Sequence, residues 1–345
     1  MNTIQNWGGG ESWHLKTAIN LSRLDYNVFF ILNRQSVLTE KLKAYPNITP
    51  IYIEFNKFSY LNPKIHYQLY KNFKQHQVET IIFNSIRDVN SASASAKLAG
   101  VKRSIFRYGS YKPLKKKLLT YLSLRFFLTD VLANSNALKE KLLQVGFIKE
   151  QKVSVLYNYV KLKEKIEKKP HTPIVFGVSA RLTFEKGFKP LLKSLSLLKE
   201  KEFKLLIAGT GPDKEEIESL IKQYQLQNHV ELKGFIEDIE GFYQSIDVLL
   251  HFSYEDGTSN SILEAMANQL PIVAFNQSSY PEMVSHNKNG FLVEADNIEE
   301  MKESMLRFIE EPSLSKQLGN ESYQKIEEEF KEHLILKTFI KRYIK

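Results

Sequence analysis

A chain of 345 residues with 43% hydrophobic and 25% charged side chains is a globular protein too long for one small core, and at ~100–200 residues per domain it divides into two. This balance excludes disordered, collagen-like and coiled-coil chains; zero cysteines exclude a disulfide framework, a thiol nucleophile and a thiolate zinc site. The net charge of +9 is uneven: residues 1–169 carry 28 Lys and Arg against 11 Asp and Glu, residues 170–345 carry 20 against 28, so an anionic partner is expected for the first half.

No apolar run approaches the ~20 residues that cross a bilayer, and Met1–Trp7 has no signal-peptide pattern. A cytoplasmic protein is the reading. A parallel-sheet strand should precede the run Trp7-Gly-Gly-Gly-Glu11, yet only Met1–Trp7 is available, so either that strand is a short stub or the natural start lies upstream. The glycines lead into a helical pattern over Glu11–Leu24, where free N–H groups favour an anion or a sugar hydroxyl. The spacing matches neither a dinucleotide fingerprint nor a Walker loop.

Short, Val/Ile/Phe-rich runs predict strands at Asn27–Asn33, Ile48–Phe55, Glu79–Asn84, Arg103–Arg107, Asp130–Ala133 and Lys152–Tyr157, with a helix at Ala137–Val145. Their continuous hydrophobicity is that of strands covered on both faces, hence a doubly wound α/β domain. Between Asp88 and Asp130 nine basic residues stand without an acidic one. Lys112, Lys115, Lys116 and Lys117 precede Leu118, Leu119, Leu122 and Phe126, so residues 112–126 are a candidate helix for an anionic membrane surface, or a core helix with a basic start. Interleaved aromatics in this stretch fit core positions as well, and no nucleic-acid-binding module is present; no nucleic-acid partner is expected.

The charged, proline-ended stretch 161–173 reads as a linker after a first domain over 1–160. Alternation restarts at Ile174–Ser179, Phe203–Ala208, Val230–Leu232, Asp247–His251, Pro271–Phe275 and Gly290–Val293, a second α/β domain over 174–320, followed by a charged helical tail, 321–345. Arg181 just past a strand end and Lys186 at the next helix start suit a diphosphate. Asp256 on a polar loop and Glu264 in an apolar helix segment follow the strand ending at His251; a carboxylate in such surroundings needs partners.

From Gly177 to Val293 the sequence resembles the retaining nucleotide-sugar glycosyltransferases of family four, the group 1 glycosyltransferases. The likeness rests on the Arg181 to Lys186-Gly187 element, Ala208-Gly-Thr-Gly-Pro212, Gly234-Phe235, Asp247-Val-Leu, Glu264-Ala-Met-Ala, Pro271-Ile-Val-Ala and Asn289-Gly-Phe-Leu-Val. It extends to the glycine loop, Asn134-Ser135 and Val155-Leu-Tyr-Asn158. The resemblance implies a GT-B fold, two Rossmann-like domains facing across a cleft, with the C-terminal segment crossing back to the first. It implies sugar transfer with retention, a nucleotide-diphosphate sugar as donor substrate and no obligatory cofactor or metal. Arg181 and Lys186 would hold the donor diphosphate, and Asp256, where the family usually has Glu, would touch the transferred sugar. Glu264 would hold the ribose, backbone at Lys233, Phe235 and Ile236 would cradle the base, and Gly209, Ser259 and Asn260 are further donor-binding candidates. Gly9 and Gly10 would close over the donor, and Glu11, Arg107 and Tyr108 are acceptor-side candidates, the segment Arg107-Tyr-Gly-Ser110 being read as a strand-end loop. The acceptor class implied is a cell-envelope glycan or a lipid-linked sugar. The chain departs from the family before Glu282, where Ser279-Tyr280-Pro281 replaces the usual Gly-Gly. Two other readings share the fold: a catalytically silent subunit that binds nucleotide or glycan, and a nucleotide-sugar 2-epimerase.

Overall fold

The computed structural model describes residues 1–345 apart from Asn6, Lys57, Lys112, Pro113, Lys116, Phe147, Lys163, Ile166, Glu167, Lys168 and Lys345. The chain separates into two compact units, residues 1–157 with 336–345, and residues 158–335.

The first unit contains β1 (Val28–Leu32), β2 (Ile48–Tyr52), β3 (Thr80–Phe83), β4 (Arg103–Tyr108), β5 (Asp130–Ala133) and β6 (Val153–Val155). All pairings are parallel, but they form two sheets, β1-β2 and β3-β4-β5-β6. Apolar side chains on both faces are sealed by helices, as parallel sheets require. The helix Gly9–Arg23 lays Leu15 and Ala18 on Phe30 and Leu32. Helices Pro63–Gln75 and Ile86–Leu98 bring Leu69, Phe73, Val89 and Ala92 to Phe83, Phe106 and Val131. Their starts are coded locally: the Asn62 side chain caps a helix whose first residue is Pro63, and Ser85 with Asp88 forms a capping box. Asp88 also accepts from the Thr3 N–H at 3.2 Å, which fastens the amino end of the chain.

Two readings change here. Met1–Gln5 is not an assigned strand, although Asn2 N–H donates to the Ile31 carbonyl at 3.0 Å. And β4 runs on through Arg107 and Tyr108, so the strand-end loop starts at Gly109. Its Arg107 and Tyr108 side chains are both buried, since helices cover both faces of the sheet.

The basic segment forms a short helix, Leu118–Leu122, that widens over Ser123–Phe127, rather than one helix over 112–126; Lys112 and Lys116 lie outside the described residues. Leu118, Tyr121 and Phe126 are exposed, Leu119 and Leu122 are half-buried, and Leu124 faces the core. The tail helix Glu332–Tyr343 sets Phe339 edge-on to Trp13 at 6.0 Å and joins the Tyr343 hydroxyl to that of Ser154.

The second unit has one parallel sheet of β7 (Ile174–Ser179), β8 (Phe203–Ala208), β9 (Val230–Gly234), β10 (Val248–His251), β11 (Ile272–Phe275) and β12 (Gly290–Val293), in the order β12-β11-β10-β7-β8-β9. The direction of winding reverses between β7 and β10, and open α/β sheets bind ligands at the carboxyl ends of strands at such a point. Asp247, buried ahead of β10, accepts from the Val175 N–H at 2.8 Å and the His171 N–H at 3.1 Å. It thereby locks the two strands that flank the reversal.

Candidate functional site

The loop after β7 carries both cations. Its course is set by backbone bonds from Leu182 to the Thr210 carbonyl at 3.0 Å and from Asp213 to the Leu182 carbonyl at 3.1 Å. The Asp213 carboxylate accepts from the Phe184 N–H at 2.8 Å. Two glycines allow this packing: a Cβ at Gly209 (φ +144°) would stand 1.9 Å from the Ala180 carbonyl oxygen, and one at Gly187 (φ +76°) would stand 2.1 Å from that of Phe252. Arg181 projects into solvent, and its guanidinium has no hydrogen-bond or ion-pair partner among the described residues.

Lys186 points to the loop after β10. Its ammonium donates to Asp256 Oδ1 and Oδ2, both at 3.0 Å, and to Ser253 Oγ at 3.1 Å. Asp256 is held from further sides by His251 Nε2 at 3.2 Å and by the Tyr280 hydroxyl, which donates to Oδ2 at 3.2 Å. Burial alone would raise its pKa, but the His251 hydrogen bond and the Lys186 charge outweigh it and hold the carboxyl well below the usual aspartate range. Because the folded value is depressed, this stabilisation is complete above the ordinary value of 3.8 and fades only as pH falls through the lower folded value.

The backbone of the Asp256 loop is fastened by Ser278 and Ser279, the second of them in the segment that departs from the resemblance. Ser279 Oγ donates to the carbonyls of Asp256 at 3.1 Å and Gly257 at 2.6 Å, Ser278 Oγ donates to the Asp256 carbonyl at 2.6 Å, and the Asp256 N–H returns a bond to Ser278 Oγ at 3.2 Å. Adjacent Glu255 is exposed. The departures at Asp256 and at Ser279-Tyr280 therefore belong to one arrangement, in which a shorter carboxylate is gripped by side chains.

Glu264 lies on the helix Asn260–Ala267, which Ser259 caps by accepting from Ile262 N–H. Tyr243 donates to Glu264 Oε2 at 3.3 Å; burial first, then the Glu264 charge, pushes that phenol well above its usual pKa, while a Ser179 hydrogen bond opposes the shift. Glu264 is thus tied to the end of β7. Asn260 Oδ1 accepts from Asn158 Nδ2 at 2.9 Å, which also donates to the Thr258 carbonyl at 2.8 Å. Phe235 is 74% exposed, a free aromatic face past β9, with half-buried Ile236 next to it. The Lys233 side chain turns away to Glu231 at 2.7 Å.

In the first unit, Gly9 opens a helix, and a Cβ at Gly10 would meet Asn84 Oδ1 at 2.7 Å. Glu11 is buried and accepts from Asn84 Nδ2 at 2.7 Å. Buried Arg107 lies 4.5 Å over the Trp13 ring, and buried Tyr108 packs in the core beside Phe106. The acceptor-side candidates Glu11, Arg107 and Tyr108 are thus all buried side chains. His251, Tyr280 and Tyr243 were not singled out from sequence. His251 carried one usable signal, a titratable residue closing a central strand at the reversal point; the tyrosines carried none. Among the described residues no group of three His, Asp or Glu side chains is placed to hold a metal ion.

Residues 160–325 match the family model for glycosyl transferases group 1. The capsular polysaccharide biosynthesis glycosyltransferase CapM of Staphylococcus aureus is 26% identical over 61% of this chain, a match that spans 60% of its own length. An uncharacterized glycosyltransferase of Haemophilus influenzae is 27% identical over 92% of each chain, and the poly(ribitol-phosphate) alpha-N-acetylglucosaminyltransferase of S. aureus is 26% identical over 55% of this chain and 39% of its own. Among solved structures, Anabaena Alr3699/HepE in complex with UDP and glucose superposes with a TM-score of 0.83 at 18% identity, covering 99% of this chain and 97% of that one. The lipopolysaccharide outer core galactosyltransferase WaaB gives 0.79 at 22% identity over 98% of each. The fold they share with this chain is GT-B.

Proposed function

Because the chain belongs to the group 1 glycosyltransferases, we propose that it moves a hexose-type sugar from a nucleoside-diphosphate donor to a cell-envelope glycan or lipid-linked acceptor, with retention of configuration. The observation that carries this reading is the pairing of Lys186 with Asp256 at the reversal point of the second sheet, with exposed Arg181 on the same loop as Lys186. The two cations would take the diphosphate, and Asp256 would take a hydroxyl of the sugar. As the anomeric C–O bond to phosphate breaks, prepositioned positive charge stabilises the departing anion. The acceptor oxygen forms its bond on the face that the phosphate vacates, and its proton passes to a phosphate oxygen. Glu264, braced by Tyr243, would accept from the ribose hydroxyls, and Phe235 offers a face for the base.

The names of CapM and of the poly(ribitol-phosphate) enzyme support an envelope acceptor, and the UDP complex of HepE makes uridine donors the first to assay. Purified chain should release one nucleoside diphosphate from a panel of uridine, guanosine and adenosine diphosphate hexoses, faster with envelope glycan added, and the product should keep the donor's anomeric configuration by NMR. No release from any donor would leave the silent binding subunit, and donor interconversion without acceptor would leave the epimerase.

No helix among the described residues is long and apolar enough to cross a membrane. The site of surface attachment we propose is the exposed set Leu118, Tyr121 and Phe126 beside exposed Lys115 and Lys117, each near-surface charge adding about 1 kcal/mol before screening. Vesicles rich in anionic lipid are expected to sediment the protein at low salt and release it at high salt. Equal background sedimentation with neutral and anionic vesicles would remove this part of the proposal.

A further inference from the structure

The buried strand β10 runs through the apolar residues Val248, Leu249 and Leu250 and then closes on His251, which is only 6% exposed. A buried imidazole needs a partner for each ring nitrogen, and both are present. Nε2 meets Asp256 Oδ2 at 3.2 Å, and Nδ1 meets Ser261 Oγ at 3.4 Å. The Tyr280 ring stands edge-on to the imidazole, with centroids 5.1 Å apart at 79°, which limits rotation of the imidazole plane.

These partners decide where the protons lie. A carboxylate only accepts, so Nε2 carries hydrogen. Lys186 already supplies the counter-charge at 3.0 Å, so the ring is assigned as neutral and Nδ1 as an acceptor. Ser261 then donates to Nδ1 and accepts from Ser259 Oγ at 3.0 Å, while Ser259 accepts from the Ile262 N–H at 3.4 Å. Every donor in this chain points the same way, from the first turn of the helix Asn260–Ala267 to the carboxylate, so each bond polarises the next. The two carboxylate oxygens are left unequal. Oδ2 accepts from His251, Tyr280 and Lys186, whereas among the described residues Oδ1 accepts from Lys186 alone. A carboxylate oxygen offers about two lone-pair sites; Oδ2 is therefore saturated and Oδ1 retains one.

We infer that His251 is a positioning residue for transfer: its Nε2–H, held in that tautomer by Ser261 and Ser259, fixes Asp256 Oδ2 so that Oδ1 receives a hydroxyl of the bound sugar. This rests on the glycosyl-transfer reading above and deepens it, by naming the oxygen that meets the sugar and the side chain that aims it. Glu264 sits on the helix whose cap begins the chain, so the ribose carboxylate and the sugar carboxylate are registered to one element.

His251→Phe keeps a ring beside Tyr280 but has no donor. It is expected to lower kcat by about 10- to 100-fold with KM for the donor within about 3-fold, the pattern of an interaction that acts in the transition state. His251→Gln, whose amide restores an N–H, should recover most of the loss. In nitrogen-15 spectra of histidine-labelled protein, the resonance pair that disappears in His251→Gln should show a protonated Nε2 and an unprotonated Nδ1. Ser261→Ala, at a half-buried helix start, should mix the tautomers and lower kcat less than His251→Phe does, and it carries the test should the phenylalanine variant fail to fold. Wild-type kcat in His251→Phe, no recovery with Gln, a proton on Nδ1 in the wild type, or an unchanged tautomer and kcat in Ser261→Ala would overturn the inference while leaving the proposed function standing. Absence of transfer by the wild type from any donor would remove the proposed function and this role with it.

Discussion

Alanine at Arg181 or at Lys186 is expected to lower transfer by roughly 10²–10³-fold, the scale for removing one prepositioned donor from a developing anion. The two losses should differ in kind. Arg181 is exposed and outside the packing, so Arg181→Ala should leave the melting temperature unchanged and act wholly on the donor phosphates. Lys186 neutralises Asp256 at 3.0 Å, so Lys186→Ala also leaves a half-buried carboxylate short of its cation and should lower stability by about 1–3 kcal/mol. Turnover and thermal melting of the two variants side by side make the check. Near wild-type transfer by either folded variant would remove the phosphate assignment.

Asp256→Asn should cost at least about 100-fold in transfer, since a carboxylate placed for one geometry is replaced by a neutral amide. Asp256→Glu is the more informative change. The carboxyl of Asp256 is held at once by Lys186, His251 and Tyr280, and a longer side chain cannot keep all three bonds, so Glu should impair transfer although the resemblance leads one to expect Glu here. Glu255→Gln, at an exposed position, should transfer normally. An inactive Glu255→Gln beside an active Asp256→Asn would reverse the assignment.

All twelve strands among the described residues are legible in sequence to within three residues at either end, because runs such as Ile174–Ser179 and Ile272–Phe275 are apolar throughout and bounded by turn residues. Legibility failed where a boundary depends on what covers it. The strand read as Arg103–Arg107, with Tyr108 in the loop, yet Tyr108 stays in β4 because the core closes over it. The basic segment read as one helix, yet it starts at Leu118 and widens at Ser123. In the site, Arg181 and Lys186 flank a strand end and a helix start, Asp256 lies on the polar loop after β10 and Glu264 within an apolar helix, positions that local pattern exposes. Their partners His251, Tyr243 and Tyr280 come from separate elements, and only the folded sheet brings them to the carboxylates they hold.

The Lys186–Asp256 pair also makes the resting protein its own competitor for anions. The carboxylate is tethered beside the ammonium, and short tethers give local concentrations on the order of millimolar or above. Inorganic phosphate below that level therefore meets an ammonium already occupied, and a free anion gains little by displacing a partner that cannot diffuse away. On the function proposed above, a donor anchored through base and ribose would arrive with an effective concentration of its own and win the exchange. On that proposal, discrimination between a whole nucleotide sugar and a stray phosphate would be built into the Lys186–Asp256 pair, before any contact with the sugar is made.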